Sequence, residues 1–164
     1  MSHLDKPARI PSGDPQPYPV AEGRHDCELC DERDDTTPVW RDADWRVVRV
    51  RDAAFPAFYR VIHRDHVREM TQLAPAARHR ALDLVCAVER TLIAQLQPTK
   101  INLASLGNVV PHLHWHVIAR FDWDSHFPQP VWGTAQREAA DAVARLAVDL
   151  PTLDAAVREA LVAA

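Results

Sequence analysis

The 164-residue sequence predicts an α+β domain built around an antiparallel sheet. Three observations support this class. Short segments of alternating apolar residues come first, one long segment with helical apolar spacing follows, and two more strand-like segments come after it. A hydrophobic content of 47% with 26% charged residues is typical of a globular protein. We expect one domain over residues 24–164 with a C-terminal helical extension, preceded by a proline-rich tail over residues 1–23 that is extended or disordered.

The predicted strands are bounded by turn residues. The first strand begins near Thr37 and ends in a turn at Asp42 to Asp44, and the second carries Trp45, Val47 and Val50 in alternation. Three later segments have the same strand character, and they span residues 57–64, 100–106 and 112–121.

The predicted helices follow from apolar spacing and proline positions. Residues 71–97 repeat apolar side chains every three or four positions, with Pro75 in the first turn and Pro98 beyond the end. Residues 134–148 and 152–163 are predicted as C-terminal helices separated at Pro151.

Charge and composition exclude some classes of function. The net charge is −4, from 19 basic and 23 acidic residues, which gives no basic surface for nucleic acid. A few local donors could still hold a small polyanion such as a nucleotide. No apolar window approaches a membrane-spanning length and no secretory leader is recognisable, so we expect a cytoplasmic protein that does not bind membranes.

The segment "GNVVPHLHWHVIARF", residues 107–121, places His112, His114 and His116 at two-residue spacing. On a strand these side chains would share one face, roughly 7 Å apart in succession, and the apolar residues between them would face a core. Three interpretations are open. One histidine could attack phosphorus with support from the others, all three could bind a metal ion, or the spacing could be a coincidence in a structural strand.

The residue types favour phosphorus chemistry. A neutral imidazole can attack phosphorus if its other nitrogen donates to a fixed acceptor. Gly107 allows close approach of an anionic oxygen, and Asn102 and Asn108 add polar donors. Three histidines also suit catalytic zinc. However, neighbouring side chains on a straight strand diverge, and the segment holds no carboxylate.

These residues carry a family resemblance. "HLHWHVI" fits the signature His-φ-His-φ-His-φ-φ, with φ apolar, at all seven positions, and residues 27–121 resemble the histidine-triad (HIT) superfamily. The similarity is greatest to a bacterial branch related to dinucleoside polyphosphate hydrolases. Membership implies a HIT-like fold with a five-stranded antiparallel sheet, usually in a homodimer. It also implies double displacement at the α-phosphate of a dinucleoside polyphosphate or nucleotide conjugate, releasing a nucleoside monophosphate.

The resemblance implies a role for each residue of the segment. His114 would be the nucleophile, His116 would support the leaving group, and His112 would support the geometry. Three residues would contact phosphate: Gly107, Asn108 and Asn102. The resemblance requires no metal for the chemistry. Two alternatives stay open: a nucleotide-binding or sensing protein with little turnover, and a metal-dependent hydrolase that uses the triad as ligands.

The sequence departs from the family pattern at a few positions. Asn108 and Val109 stand where many members have Gln followed by Ser or Thr, and Phe58 stands where many have histidine. These differences affect substrate choice more than reaction type. Asp52 is a candidate for binding ribose hydroxyls, as acidic residues do at this place in relatives, or for forming the turn before residues 53–56.

Cys27 and Cys30 have the spacing of half a zinc site. The resemblance supplies His66 and His112 as the other two ligands of a structural Cys2His2 site. His63 is a less convenient substitute because of its strand parity. Two reduced thiols in a loop are the alternative, while a thioredoxin-like redox pattern is absent from the sequence.

Two further groups have open roles. The segment "WDSHFPQPVW", residues 123–132, contains Trp123, His126 and Trp132. These side chains either stack on a nucleotide base or cover the edge of the hydrophobic core. Three arginines are either surface charges or phosphate contacts: Arg60, Arg64 and Arg120.

Overall fold

The computed structural model describes residues 26–164, so the predicted tail lies outside the described residues. It contains one five-stranded sheet and two helices. The elements in chain order are β1 (Thr36–Arg41), β2 (Trp45–Val50), β3 (Phe58–His63), α1 (Pro75–Leu96), β4 (Lys100–Ala104), β5 (His114–Arg120) and α2 (Leu150–Val162). The strand order is β1-β2-β3-β5-β4, and all neighbouring strands are antiparallel. The predicted α+β class with a five-stranded antiparallel sheet is confirmed.

The register between β3 and β5 determines which side chains share the front face of the sheet. Arg60 lies opposite His116, and Ile62 lies opposite His114. Because alternate residues of a strand share a face, these four side chains all lie on the front face. Val117 belongs to the opposite face and is fully buried in the core.

Both helices cover the back face of the sheet. The buried side of α1 includes Leu84, Val88 and Leu92, and it packs with residues of α2 and of the back face in one core cluster. The α2 helix is also held by a polar contact, since Asp154 accepts hydrogen bonds from Arg49 and from the Tyr59 hydroxyl. Among residues 26–164, the front face is thus the side of the sheet that the two helices leave uncovered.

The first helix is close to the sequence prediction. Pro75 occupies its first turn, where a missing N–H costs nothing. The helix ends at Leu96, and Gln97 follows in a left-handed conformation with φ of 48°. The predicted start at residue 71 is wrong because residues 70–72 form a separate 3-10 turn.

The predicted helix over residues 134–148 is wrong. Only Val143–Arg145 form a short 3-10 turn there, and the backbone N–H groups of Gln136 and Arg137 instead donate to the Ser125 carbonyl. These long-range bonds replace the local ladder that a helix needs. The last helix starts earlier than predicted, since Pro151 lies in the first turn of α2 and Asp149 caps it by accepting from the Thr152 amide.

Across residues 26–164, no helix combines the length and the apolar character that crossing a bilayer requires.

Candidate functional site

The three histidines of the 107–121 segment are all buried, with exposed fractions of 1% for His112, 6% for His114 and 4% for His116. His114 and His116 lie in β5 on the front face. His112 precedes the strand, where its amide donates to the Val110 carbonyl. The strand prediction therefore holds for two of the three, and His112 turns toward a different set of neighbours.

His114 has a fixed orientation. Its Nδ1 lies 2.6 Å from the backbone carbonyl oxygen of His112. Because a carbonyl only accepts, Nδ1 carries the proton and Nε2 keeps its lone pair. Burial lowers the pKa of His114 below the ordinary histidine value, despite the opposing hydrogen bond. His114 is thus a neutral ring with a basic nitrogen available near pH 7.

His116 is a second neutral ring beside the first. Its centroid lies 4.7 Å from that of His114 in an edge-on arrangement. Burial, with the charges of His114 and Arg60, lowers the pKa of His116 to about 3. Its buried Nδ1 has no hydrogen-bond partner among residues 26–164. Such orphaned buried polar atoms are uncommon in folded proteins.

A cavity of about 370 Å³ opens in front of these two rings. The loop that follows β4 forms one wall and contributes Gly107, Asn108 and the 93%-exposed Val109. Gly107 has φ of +109°, a backbone conformation that side-chain-bearing residues rarely adopt. Gly107 and Asn108 therefore line the same cavity as His114 and His116.

Arg60 also lines the cavity. It lies opposite His116 in the register of β3 and β5, and its guanidinium carbon is 5.8 Å from the centre of the Phe58 ring. The other two arginines lie elsewhere: Arg64 is exposed and pairs with Asp65, and Arg120 is buried. The front face thus places one cation beside the two histidines.

Two predicted substrate contacts lie apart from the cavity lining. Asn102 accepts a hydrogen bond from Arg120 through its amide oxygen, at 2.7 Å. The Oδ1 atom of Asp52 accepts from the backbone amides of Ala54 and Phe55, so this carboxylate forms a turn. The geometry supports the turn-forming interpretation of Asp52 and lends no support to a substrate role for Asn102.

The segment after β5 brings one aromatic side chain to the cavity. Trp132 lines it, half exposed at 54%, with its ring centroid 5.1 Å from that of His116. Trp123 instead stacks on Phe121, and His126 packs edge-on against Phe55. Of the aromatic candidates in this segment, Trp132 is the one placed to touch a ligand.

A buried ion pair anchors this segment. The Arg120 and Asp124 side chains pair at 2.8 Å, and each is only 2% exposed. Arg120 also donates to the Gln129 carbonyl, and Asp124 accepts from the amides of His126 and Phe127. These bonds fix the segment that leads to Trp132.

A second cluster joins the N-terminal loop to the histidine segment. Cys27, Cys30, His66 and His112 place their ligand atoms within 4.8 Å of one another. The Nδ1 of His112 lies 3.5 Å from the Cys27 sulfur and 3.3 Å from the Cys30 sulfur. Zinc bond lengths of about 2.3 Å to sulfur and 2.0–2.1 Å to nitrogen put such ligands about 3.5 Å apart in a tetrahedron. The donor set and spacing therefore fit zinc.

The same geometry separates this cluster from His114 and His116. The Nε2 of His112 donates to the His63 carbonyl, which directs Nδ1 at the cysteines. His63 lies outside the cluster, and its ring packs edge-on against Trp45. The candidate cluster found among residues 26–164 includes one member of the triad, and this disfavours a cage built from all three.

The sequence analysis left the roles of Arg60 and Trp132 open and did not name Leu106, and all three line the cavity. One signal was present for Arg60. Strand alternation in residues 57–64 puts it between Phe58 and Ile62, an unusual place for an unpaired cation. Leu106 and Trp132 depend on loop paths that periodicity does not encode.

Comparisons with known proteins agree with this geometry. Residues 32–123 match the family model described as HIT domain. A histidine triad protein from Bradyrhizobium japonicum is similar at 30% identity and a TM-score of 0.64, covering 77% of this chain and 91% of that chain. A second, from Marinobacter aquaeolei VT8, is 25% identical, with a TM-score of 0.63 and coverages of 79% and 90%.

A third solved structure, a HIT protein from Sinorhizobium meliloti 1021, is 27% identical with a TM-score of 0.62, covering 78% of this chain and 90% of that chain. A search of curated proteins finds no significant match.

Proposed function

This chain belongs to the histidine-triad (HIT) family, and we propose that it hydrolyses a nucleotide conjugate through a covalent nucleotidyl intermediate on His114. The substrate class is a dinucleoside polyphosphate or a related conjugate, and the first product is a nucleoside monophosphate. This makes the protein an enzyme whose chemistry uses its own side chains.

The observation that carries the proposal is the bond between His114 Nδ1 and the His112 carbonyl. It fixes the tautomer that leaves Nε2 as a nucleophile, and it holds the ring against rotation. The lowered pKa of His114, which burial causes, favours the unprotonated nitrogen. Attack at the α-phosphorus forms a P–N bond while the bond to the leaving group breaks. Water then displaces the imidazole, and a proton is released to solvent.

The loop around Gly107 supplies the surface for the attacked phosphate. Its positive φ and missing side chain allow backbone amides to approach an anionic oxygen. Asn108 lies beside it in the cavity lining. His116, with an unpartnered Nδ1, lies next to the nucleophile on the same face and supports departure of the leaving group.

We further propose that Cys27, Cys30, His66 and His112 bind a structural zinc ion. Four protein ligands close a tetrahedral site and leave no position for substrate. Zinc there would hold the N-terminal loop against the histidine segment. His112 would take part through Nδ1 and still present its carbonyl to His114.

The homodimer implied by the family also remains a proposal. The edge strand β4 carries Leu103 with 41% of its surface exposed, which is an apolar position that a second copy could cover.

The direct test is a panel of nucleotide conjugates incubated with protein in the presence of a chelator, at a temperature where the protein stays folded. The proposal expects nucleoside monophosphate from wild type and none from His114→Ala with unchanged circular dichroism. Tight nucleotide binding without turnover would favour the sensing alternative. Loss of activity on chelation in a folded protein would favour metal-dependent hydrolysis.

A further inference from the structure

Arg60 points to the chemical class of the leaving group. Its buried Nε has no hydrogen-bond partner, and within residues 26–164 its side chain takes part in no ion pair. Burial lowers the pKa of Arg60, and the charges of Asp34 and Glu28 offset this in part while that of Arg46 adds to it. An arginine is charged under all ordinary conditions, so the cavity holds a cation that the fold leaves unsatisfied.

A structural role does not account for this residue. The two buried arginines among residues 26–164 are paired, Arg46 with Asp34 and Arg120 with Asp124, whereas the half-buried Arg60 is not. Arg60 forms no hydrogen bond or ion pair with another described side chain, although the carboxylates of Asp34 and Glu28 are close enough to act on its charge. Its guanidinium carbon lies 5.8 Å from the centre of the Phe58 ring. A desolvated cation without an ion-pair partner destabilises the empty site. Such a group is suited to a ligand that brings the missing negative charge.

The location of Arg60 relates it to one side of the proposed reaction. Arg60 is the cross-strand neighbour of His116. This pair lies two residues along the strands from the Ile62–His114 pair, on the same face of the sheet. A phosphorus held at His114 would therefore have Arg60 and His116 together on one flank, with Trp132 against the His116 ring. His116 is the residue proposed above to support departure.

We propose that Arg60 binds the anionic leaving group, so that the substrate is a phosphoanhydride and not a nucleoside phosphoramidate. This inference rests on the proposed function, because the leaving group is defined by attack from His114. It selects one of the two kinds of bond that nucleotide conjugates offer at the α-phosphorus.

The two reactions differ in what the leaving atom needs. In a phosphoanhydride the Pα–O bond breaks, and oxygen departs with the electron pair as a phosphate anion, which the guanidinium neutralises without a proton. In a phosphoramidate the departing nitrogen must gain a proton to leave as an amine. His116 is a neutral ring near pH 7, so the one N–H that it keeps is a far weaker acid than an imidazolium. The Arg60 cation also repels a protonated amine.

The test compares two substrates of the same base: a diadenosine polyphosphate, and an adenosine phosphoramidate of a simple amine. The variants are Arg60→Met, which removes the charge but keeps an unbranched apolar stem, and Arg60→Lys. Arg64→Met is the matched control, because Arg64 is exposed and pairs with Asp65. Thermal melting verifies that Arg60→Met folds, and the loss of a half-buried, unpaired cation predicts no decrease in Tm.

Wild type should have a higher kcat/KM for the phosphoanhydride. Arg60→Met should reduce that value roughly 10- to 100-fold, as expected for a charge-assisted contact, and should reduce phosphoramidate hydrolysis much less. Arg60→Lys should recover part of the loss, and Arg64→Met should match wild type. Equal losses on both substrates, or a wild-type preference for the phosphoramidate, would overturn the proposal.

A binding measurement separates this inference from the proposed function. Calorimetric titration gives the ratio of Kd for AMP to Kd for ADP, which reports the contribution of the second phosphate without turnover. The ratio should fall roughly tenfold in Arg60→Met and stay constant in Arg64→Met. If wild type hydrolyses neither substrate, the proposed function fails but this ratio still tests the Arg60 contact. An unchanged ratio, or no ADP binding at all, refutes the contact.

Discussion

The Nδ1 of His114 donates to the backbone carbonyl of His112 across 2.6 Å, while the Nδ1 of His112 faces two cysteine sulfurs. One residue therefore belongs to two sites. Its ring completes the candidate metal cluster, and its carbonyl sets the tautomer of the proposed nucleophile. This link explains how a structural metal would influence the chemistry without entering the reaction.

Zinc removal should destabilise the protein without abolishing activity in the folded state. At free zinc 100-fold above its Kd, binding contributes about 2.7 kcal/mol, or roughly 5–10 °C in Tm for a chain of this size. A chelator or Cys30→Ser should lower Tm by that amount in a thermal melt. Cys86→Ser is the matched control, since Cys86 is a half-buried free cysteine outside the cluster. Equal melting temperatures with and without chelator would refute the zinc proposal.

Breaking the Arg120–Asp124 pair should cost about 3–5 kcal/mol of unfolding free energy, because Asp124→Ala leaves a buried cation uncompensated. Chemical denaturation measures this loss. Arg33→Ala is the control, since Arg33 forms an exposed pair with Asp26 and its removal should leave the unfolding free energy nearly unchanged. Similar costs for the two variants would show that the buried pair does not anchor the segment.

Trp132 should contribute to substrate binding. Removing an aromatic ring that stacks on a base costs about 1–3 kcal/mol, so Trp132→Ala should raise KM roughly 5- to 150-fold in steady-state kinetics. Trp123→Ala removes a ring of the same size from outside the cavity and should leave KM unchanged. A normal KM in Trp132→Ala would mean that this ring only covers His116.

Acid should destabilise the fold through His116. Its folded pKa of about 3 lies below the unfolded value of 6.5, so between these values the unfolded chain binds more protons. The contribution of His116 to the unfolding free energy is largest above pH 6.5. It decreases as the pH falls, by about 2 kcal/mol between pH 7 and pH 5. Denaturation of wild type and His116→Gln at both pH values measures it. Equal pH dependence in the two proteins would contradict the buried neutral state of His116.

The sequence was sufficient where local patterns determine the structure. Alternation located the strands, and three-to-four spacing located α1, because one face of each element is buried. The prediction failed over residues 134–148, whose alanine-rich composition favours helix. There, bonds from Gln136 and Arg137 to the Ser125 carbonyl compete successfully, and local propensity contains no information about such partners.

For the candidate site too, sequence spacing predicted some features, and others depend on contacts that form only in the folded chain. The spacing of His112, His114 and His116 indicated a shared face, and the cysteine spacing indicated half a metal site. The different directions of the His112 and His114 rings follow from carbonyls that only the folded chain brings close. Whether Arg60 was a surface charge or a ligand contact also depended on the pairing of β3 with β5.

The central claim is tested most directly by trapping the covalent intermediate. Wild-type protein is mixed with a dinucleoside polyphosphate, quenched within the first turnover under conditions that preserve P–N bonds, and analysed by intact and peptide mass spectrometry. The account predicts an added nucleoside monophosphate on His114 of wild type and its absence from His114→Ala. Rapid turnover with no adduct, or an adduct on another residue that persists in His114→Ala, would contradict it.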